Sequence, residues 1–199
     1  RSKPLDVPGE KKFAGRGVTY CTTRDAPYFR EKTVSVIGGG NSALAAVNEL
    51  LVLGCTVNLV HHEPSLTADS ILIEKAMGYG NLSIYHNHDV LEIAGKGTVT
   101  GITIRDVAND KRAVLRVAGV FIETGSIPNS SCVRGILNLN DNNEIIVNSR
   151  CETNVPGIFA AGDVTNVPDK QIIVAVGEGA KAALGVCDYL LHKKGDFRV

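Results

Sequence analysis

The sequence predicts an α/β fold centred on a parallel strand–helix–strand unit, and three features carry that reading. Thr33-Val34-Ser35-Val36-Ile37 is a β-branched run of strand length closed by Gly38-Gly39-Gly40. Asn41 to Leu53 repeats apolar residues at helical spacing and stops at Gly54, and Thr56 to Val60 is a second β-branched run. A helical crossover of that length joins two parallel strands with a right-handed connection.

The other elements follow in order. Lys3 to Glu10 is a Pro/Gly-rich lead, Gly15 to Cys21 a short extended stretch, and Thr22 to Pro27 a polar turn. After Pro64, Asp69 or Ser70 caps a helix that runs to Met77, and Leu82 to Tyr85 is a strand. Asp89 to Val117 reads as three short strands separated by Gly95-Lys96-Gly97 and by Ala108 to Lys111, a meander. Val117 to Thr124 is one more strand, ending at Gly125. Beyond it come a polar turn at Asn138 to Asn143, a short strand at Glu144 to Val147 and a buried strand at Gly157 to Ala161. A long apolar helix, Gln171 to Leu191, follows. Composition breaks at Gly9 to Gly17 and at Gly125 to Asn143, so the βαβ-plus-meander unit, residues 15–125, reads as inserted in a second α/β domain. That second domain is represented by residues 1–14 and 126–199. Arg1 opens in what reads as mid-domain loop, so the chain is expected to be a piece of a longer one.

Composition narrows the function classes. Lys+Arg 21 balances Asp+Glu 21 over 199 residues, which leaves no electrostatic footprint for nucleic acid and no polybasic stretch for a membrane surface. No apolar run reaches the length that spans a bilayer. The cysteines Cys21, Cys55, Cys132, Cys151 and Cys187 are odd in number, far apart and form no Cys-x-x-Cys. That argues against a disulfide scaffold or a zinc site, so no metal is expected, and a cytoplasmic setting is.

Two motifs carry chemistry. Gly38 to Ala43 reads G-x-G-x-x-A between a strand and a helix, the context that makes it a dinucleotide turn of Rossmann-like type. Gly38 permits the tight turn, Gly40 the close approach of a pyrophosphate, and Ala43 close helix–strand packing. Asn41 and Ser42 open the helix whose free N–H groups face the anion. The second strand ends at His61-His62-Glu63, where a ribose reader is expected. Only Glu63 is acidic, and the alternative is a solvated strand end with two exposed histidines. The second motif, Gly157 to Asp163, delivers Asp163 beside Gly162 at a strand end facing a helix N-terminus near Gln171. That placement suits hydrogen bonding to a sugar or ribityl chain.

These residues also carry a resemblance. Gly17-Val18-Thr19-Tyr20-Cys21, Val36 to Ala43, Gly119 to Asn129, Gly157 to Asp163 and Gln171 to Gly179 match in order and spacing the latter two-thirds of low-molecular-weight thioredoxin reductases. These are class II pyridine nucleotide-disulfide oxidoreductases, and the chain is similar as well to the flavoprotein subunit of alkyl hydroperoxide reductase. The resemblance implies a pyridine-nucleotide domain at 15–125, reaching Gly125, inserted in an FAD domain whose N-terminal half lies before Arg1. It implies FAD as cofactor, with Asp163 on the ribityl chain and Gln171 and Ile172 beside the isoalloxazine ring. NAD(P)H is the second cofactor, a thioredoxin-like or other redox protein the partner, ferredoxin a possible donor, and a homodimer the assembly.

The sequence departs from that family at two places. Where the family carries Cys-x-x-Cys-Asp, this chain has Cys21-Thr22-Thr23-Arg24-Asp25. Cys21, Arg24 and Asp25 are therefore the catalytic candidates. A lone thiolate forms a mixed disulfide but has no resolving partner, so Cys21 reads either as a reactive thiol or as an inert residue held in a turn. Cys132, Cys151 or a partner is the candidate source of a second thiol. The arginines that read NADPH are replaced by His62, Glu63 and Thr67, and the NADH-reading glutamate by His61. The expectation is an FAD-dependent oxidoreductase with a degraded dithiol motif, the alternative a non-catalytic flavin- or nucleotide-binding module.

Overall fold

The computed structural model describes residues 2–194, which divide between Gly125 and Ser126 into two compact units. In the first unit the elements are β1 (Val18–Thr19), α1 (Thr22–Asp25), β2 (Thr33–Ile37), α2 (Asn41–Val52), β3 (Thr56–Val60), α3 (Ser70–Met77) and β4 (Leu82–Tyr85). After them come β5 (His88–Lys96), β6 (Thr98–Asp106), β7 (Arg112–Arg116) and β8 (Gly119–Ile122). Strands β1-β8-β2-β3-β4 form one parallel sheet in that order, and β5-β6-β7 an antiparallel one. The pairing of β2 with β3 runs from Thr33 opposite Thr56 to Ile37 opposite Val60.

Both faces of the parallel sheet are covered, which is why its strands read as near-continuous apolar runs. Val34, Val36, Leu59 and Phe121 face Leu44, Val47 and Leu50 of α2. On the opposite face Ile37, Val60, Val120 and Ile122 pack with Ile93, Ile102 and Ile104 of the meander. Residues 2–14 lie in this same unit. The Ile93 N–H donates to the Pro8 carbonyl at 2.9 Å, and buried Glu10 accepts from the N–H groups of Leu5 (3.1 Å) and Asp6 (2.7 Å) and from the Tyr20 hydroxyl (2.5 Å).

Three expectations are corrected. The polar turn at Thr22 to Pro27 is the short helix α1 followed by a 3₁₀ turn, Ala26–Phe29. Pro27 sits in the first turn of that 3₁₀ segment, where its missing N–H costs nothing. Glu144 to Val147 is not a strand: only Ile145 bridges, to Leu139 and Thr165. Gly157 to Ala161 is not a buried strand either, since Phe159 alone bridges to Glu152 and Ile158 is 38% exposed. An apolar run becomes a strand only where a neighbour takes its backbone hydrogen bonds. Here they close locally, Thr153 N–H to the Ile158 carbonyl (3.2 Å) and Ala160 N–H to that of Cys151 (3.1 Å).

In the second unit α4 (Ile172–Lys194) runs 23 residues, and its Ile172, Ile173, Val176 and Leu184 are exposed, Ile172 at 87%. No helix among the described residues is long and apolar enough to cross a membrane.

Candidate functional site

The site is assembled around the turn between β2 and α2, where the three consecutive glycines serve three different ends. Gly38 has φ +139°, and an added Cβ would lie 2.4 Å from the Glu123 carbonyl oxygen. Its requirement is backbone geometry. An added Cβ at Gly39 would lie 2.2 Å from the His61 ring, so this glycine makes room for an imidazole. Gly40 has φ −93° and ψ −171°, a conformation open to any residue. An added Cβ there meets nothing nearer than Thr67 Oγ1 at 3.7 Å. Neither the backbone nor the packing of the protein asks for glycine at 40; the space over it is open.

That space belongs to a cavity of about 830 Å³ at the C-terminal edge of the parallel strands. Gly38, Gly40 and Ser42 line its middle, His61, His62 and Glu63 one side, and Glu123, Thr124 and Gly125 the other. Among the residues predicted for the dinucleotide turn, Asn41 and Ala43 do not line it. Asn41 pairs with Asp69, its Nδ2 donating to Oδ2 at 3.0 Å and its Oδ1 accepting from the Asp69 N–H at 2.7 Å. Ala43 is fully buried and packs close to Gly38. No side chain caps α2 and its first turn holds no acid, so the N–H groups at its start keep their capacity for an anion.

At the β3 end the picture of two exposed histidines is corrected. His61 is 8% exposed, its ring lies against Gly39, and its Nε2 donates to the Ser65 carbonyl at 2.8 Å. His62 is exposed and donates from Nδ1 to Asp89 Oδ1 at 2.6 Å. Arg105 Nη2 reaches the other Asp89 oxygen at 2.9 Å. Burial pushes the Asp89 carboxyl up, but the bonds from Arg105 and His62 outweigh it and hold the group below the usual carboxylate range. Sequence reasoning missed Asp89, Arg105 and Glu123. The signal for the first two was the meander itself, because a hairpin turning at Gly97 sets Asp89 opposite Arg105.

Glu123 is a half-buried carboxyl on the far side of the turn, bonded by the Thr22 hydroxyl at 2.8 Å. Burial raises its pKa against that hydrogen bond. Thr22 belongs to the predicted redox segment. Cys21 is the half-buried residue preceding α1, its N–H donating to Thr19 Oγ1 at 3.1 Å. Arg24 grips its neighbour Asp25 with both ends of the guanidinium, Nε to Oδ1 at 2.7 Å and Nη2 to Oδ2 at 2.8 Å, and the Thr19 hydroxyl donates to the same carboxylate. Those bonds hold Asp25 below the usual carboxylate range, ionised at neutral pH.

In the second unit Gly162 (φ +78°) packs against Ala175 in the first turn of α4; Asp163, Gln171 and Ile172 are all exposed. Cys151 is buried and donates to Glu178 Oε2 at 3.1 Å. Burial, then the Glu178 carboxylate, push its thiol up to about 11, so it is a poor source of thiolate. Cys132 is exposed. Among the described residues no cluster of His, Cys, Asp and Glu is arranged to hold a metal ion.

A parallel sheet whose glycine turn opens a groove at the strands' C-terminal edge defines a Rossmann-like α/β protein. Residues 1–179 match the family model described as pyridine nucleotide-disulphide oxidoreductase, and the chain belongs to that family. It is 42% identical over 191 residues to an alkyl hydroperoxide reductase subunit of Escherichia coli, covering 96% of this chain and 37% of that protein. Among solved structures it resembles thioredoxin reductase from Streptococcus pyogenes, with 34% identity and a TM-score of 0.86 over 96% of this chain and 63% of that one. Thioredoxin reductase from Giardia duodenalis gives 29% identity and a TM-score of 0.85 over the same shares. The chain thus spans well under half the length of the curated relative.

Proposed function

We propose that the chain serves an FAD-dependent, thioredoxin reductase-like oxidoreductase in which residues 15–125 bind a pyridine dinucleotide and 126–199 contribute to FAD binding. Electrons would run from NAD(P)H or a protein donor through flavin to a disulfide or other redox partner without an internal Cys-x-x-Cys. The observation that carries the reading is Gly40: its glycine identity is unexplained by the protein's own packing and explained by a pyrophosphate lying over it. The groove residues Gly38, Gly40 and Ser42, with the start of α2, would hold the diphosphate; Asp163, Gln171 and Ile172 would hold the flavin. When bound, these cofactors supply hydride and electron-pair transfer. The chain's residues supply anchoring and orientation.

Arg24 changes what the redox segment can do. With the guanidinium where a resolving thiol would stand, Cys21 is limited to a mixed disulfide with a partner. Asp25, held ionised, is a proton acceptor and a fixed counter-charge for Arg24, not a proton donor. This same closed Arg24–Asp25 pair favours the second reading, a nucleotide- and flavin-binding module without dithiol chemistry. The test is stopped-flow mixing of the FAD-loaded full-length protein with NADH or NADPH. With NAD(P)H as donor the flavin band should bleach; a flavin that stays oxidised with both coenzymes rejects that donor, and one that stays oxidised with reduced ferredoxin as well rejects the oxidoreductase reading.

A further inference from the structure

The site a dinucleotide fold reserves for reading the adenosine ribose is the end of the second strand of its βαβ unit, where an acid accepts from the 2′-hydroxyl. Here that strand is β3, and its end is His61, turned inward onto Gly39 and bonded to the Ser65 carbonyl. An imidazole so placed neither accepts from a ribose nor grips a phosphate. The backbone brings another group to the same place. His61 N–H donates to the Tyr85 carbonyl (2.9 Å), His88 N–H to that of His61 (3.0 Å), and Asn87 N–H to that of Glu63 (3.3 Å). The start of β5 is thereby laced along the end of β3, and Asp89, second residue of β5, lines the groove beside His62 and Glu63.

Resting on the dinucleotide reading above, we infer that Asp89 is the ribose-reading residue and that the groove takes a dinucleotide with an unesterified 2′-hydroxyl, the NADH class. Each Asp89 oxygen accepts one bond from the protein, Oδ1 from His62 and Oδ2 from Arg105, and a carboxylate oxygen accepts two. The two donors fix the plane of the carboxylate and leave acceptor capacity for a sugar hydroxyl. The same bonds disfavour a 2′-phosphate. Arg105 is committed to Asp89 and lies 3.7 Å from Asp110, His62 is committed to Asp89, and Glu63 adds a further carboxylate on that side. Among the described residues, the other lining side chains able to carry positive charge are Lys3, whose backbone N–H donates to the Gly125 carbonyl at 2.9 Å on the β8 side, and His61 and His88, whose rings are bonded to the Ser65 and His86 carbonyls. A doubly charged phosphate entering beside Asp89 would meet the Asp89 and Glu63 carboxylates, with His62 and Arg105 already paired to Asp89.

The test is calorimetric titration of the chain with ADP-ribose and with 2′-phospho-ADP-ribose, probes that carry the adenosine end without a redox group. The expected result is at least tenfold tighter binding of ADP-ribose. Asp89→Asn, checked for an unchanged circular dichroism spectrum, is expected to weaken ADP-ribose at least fivefold and to leave 2′-phospho-ADP-ribose unchanged or tighter. General damage would weaken both ligands alike, so the change in ratio reports Asp89. Equal affinities in the wild type, or tighter 2′-phospho-ADP-ribose, overturn the inference while the dinucleotide reading stands. An unchanged ratio in Asp89→Asn overturns the role of Asp89. Failure of both probes to bind rejects the dinucleotide reading and the inference with it.

Discussion

Substituting Gly39 by alanine isolates the contact between the glycine turn and the buried His61 ring. The added Cβ would sit 2.2 Å from the ring's Cε1 and Nδ1 and 2.6 Å from Nε2, against an ordinary carbon contact of roughly 3.5 Å or more. The ring must therefore retreat by more than about 1 Å. That movement gives up the 2.8 Å bond to the Ser65 carbonyl, about 1 kcal/mol, and overpacks a buried site, about 1–3 kcal/mol. The sum is about 2–4 kcal/mol. Gly39 does not have the positive φ of Gly38, so backbone strain adds nothing. The assay is native-state hydrogen exchange at the β2 and β3 amides, which reads the stability of this unit separately. In a His61→Ala background the Gly39→Ala cost should collapse, giving a coupling of about 2 kcal/mol or more. A Gly39→Ala protein within about 0.5 kcal/mol of wild type, or the same cost with and without His61, refutes the reasoning.

Two further predictions concern the titratable and redox groups. Burial raises the Glu123 carboxyl, so the folded protein keeps this proton to higher pH than the unfolded chain does. Stability should then fall as pH rises from the ordinary glutamate value of about 4.3 through the raised one, and stay lower above it. Glu123→Gln removes that fall: by urea unfolding the variant should be the more stable at neutral pH, the gain vanishing below the window. Arg24→Cys creates a Cys-x-x-Cys with Cys21. Mild oxidation of this variant should remove two titratable thiols that reductant restores, whereas the wild type should lose no intramolecular pair. Equal thiol counts in oxidised and reduced variant would contradict the reading of Arg24 as the replaced resolving position.

The order of elements around the glycine turn was legible because local chemistry and tertiary environment agree there. The β-branched runs at Thr33–Ile37 and Thr56–Val60 are strands buried on both faces, and Asp69 does precede a helix that ends at Met77. Glu144 to Val147 and Gly157 to Ala161 have strand composition but lack neighbours to complete a ladder, and composition does not report neighbours. The site divides in the same way. Gly38, Gly40 and Ser42 are adjacent in sequence and were read directly. His61 was expected at the strand end, but its burial depends on a carbonyl at Ser65 and on a glycine whose own turn is remote in sequence. Asp89 meets Arg105 across 16 positions, a pairing that the hairpin register of the meander implies, but it meets His62 across 27 through β3–β5 lacing that no local pattern announces.

The central claim is that the open space over Gly40 is there for a dinucleotide, and Gly40→Ala tests it most directly. Because φ at 40 is ordinary and the nearest atom to the new Cβ is 3.7 Å away, the substitution makes no clash; position 40 is the N-cap of α2, where alanine is a poorer cap than glycine, so stability should fall by no more than about 1 kcal/mol. ADP-ribose affinity, measured by calorimetry on both proteins, should fall at least tenfold as the methyl group enters the path of the pyrophosphate. Equal ADP-ribose affinity in a folded Gly40→Ala protein would contradict the account.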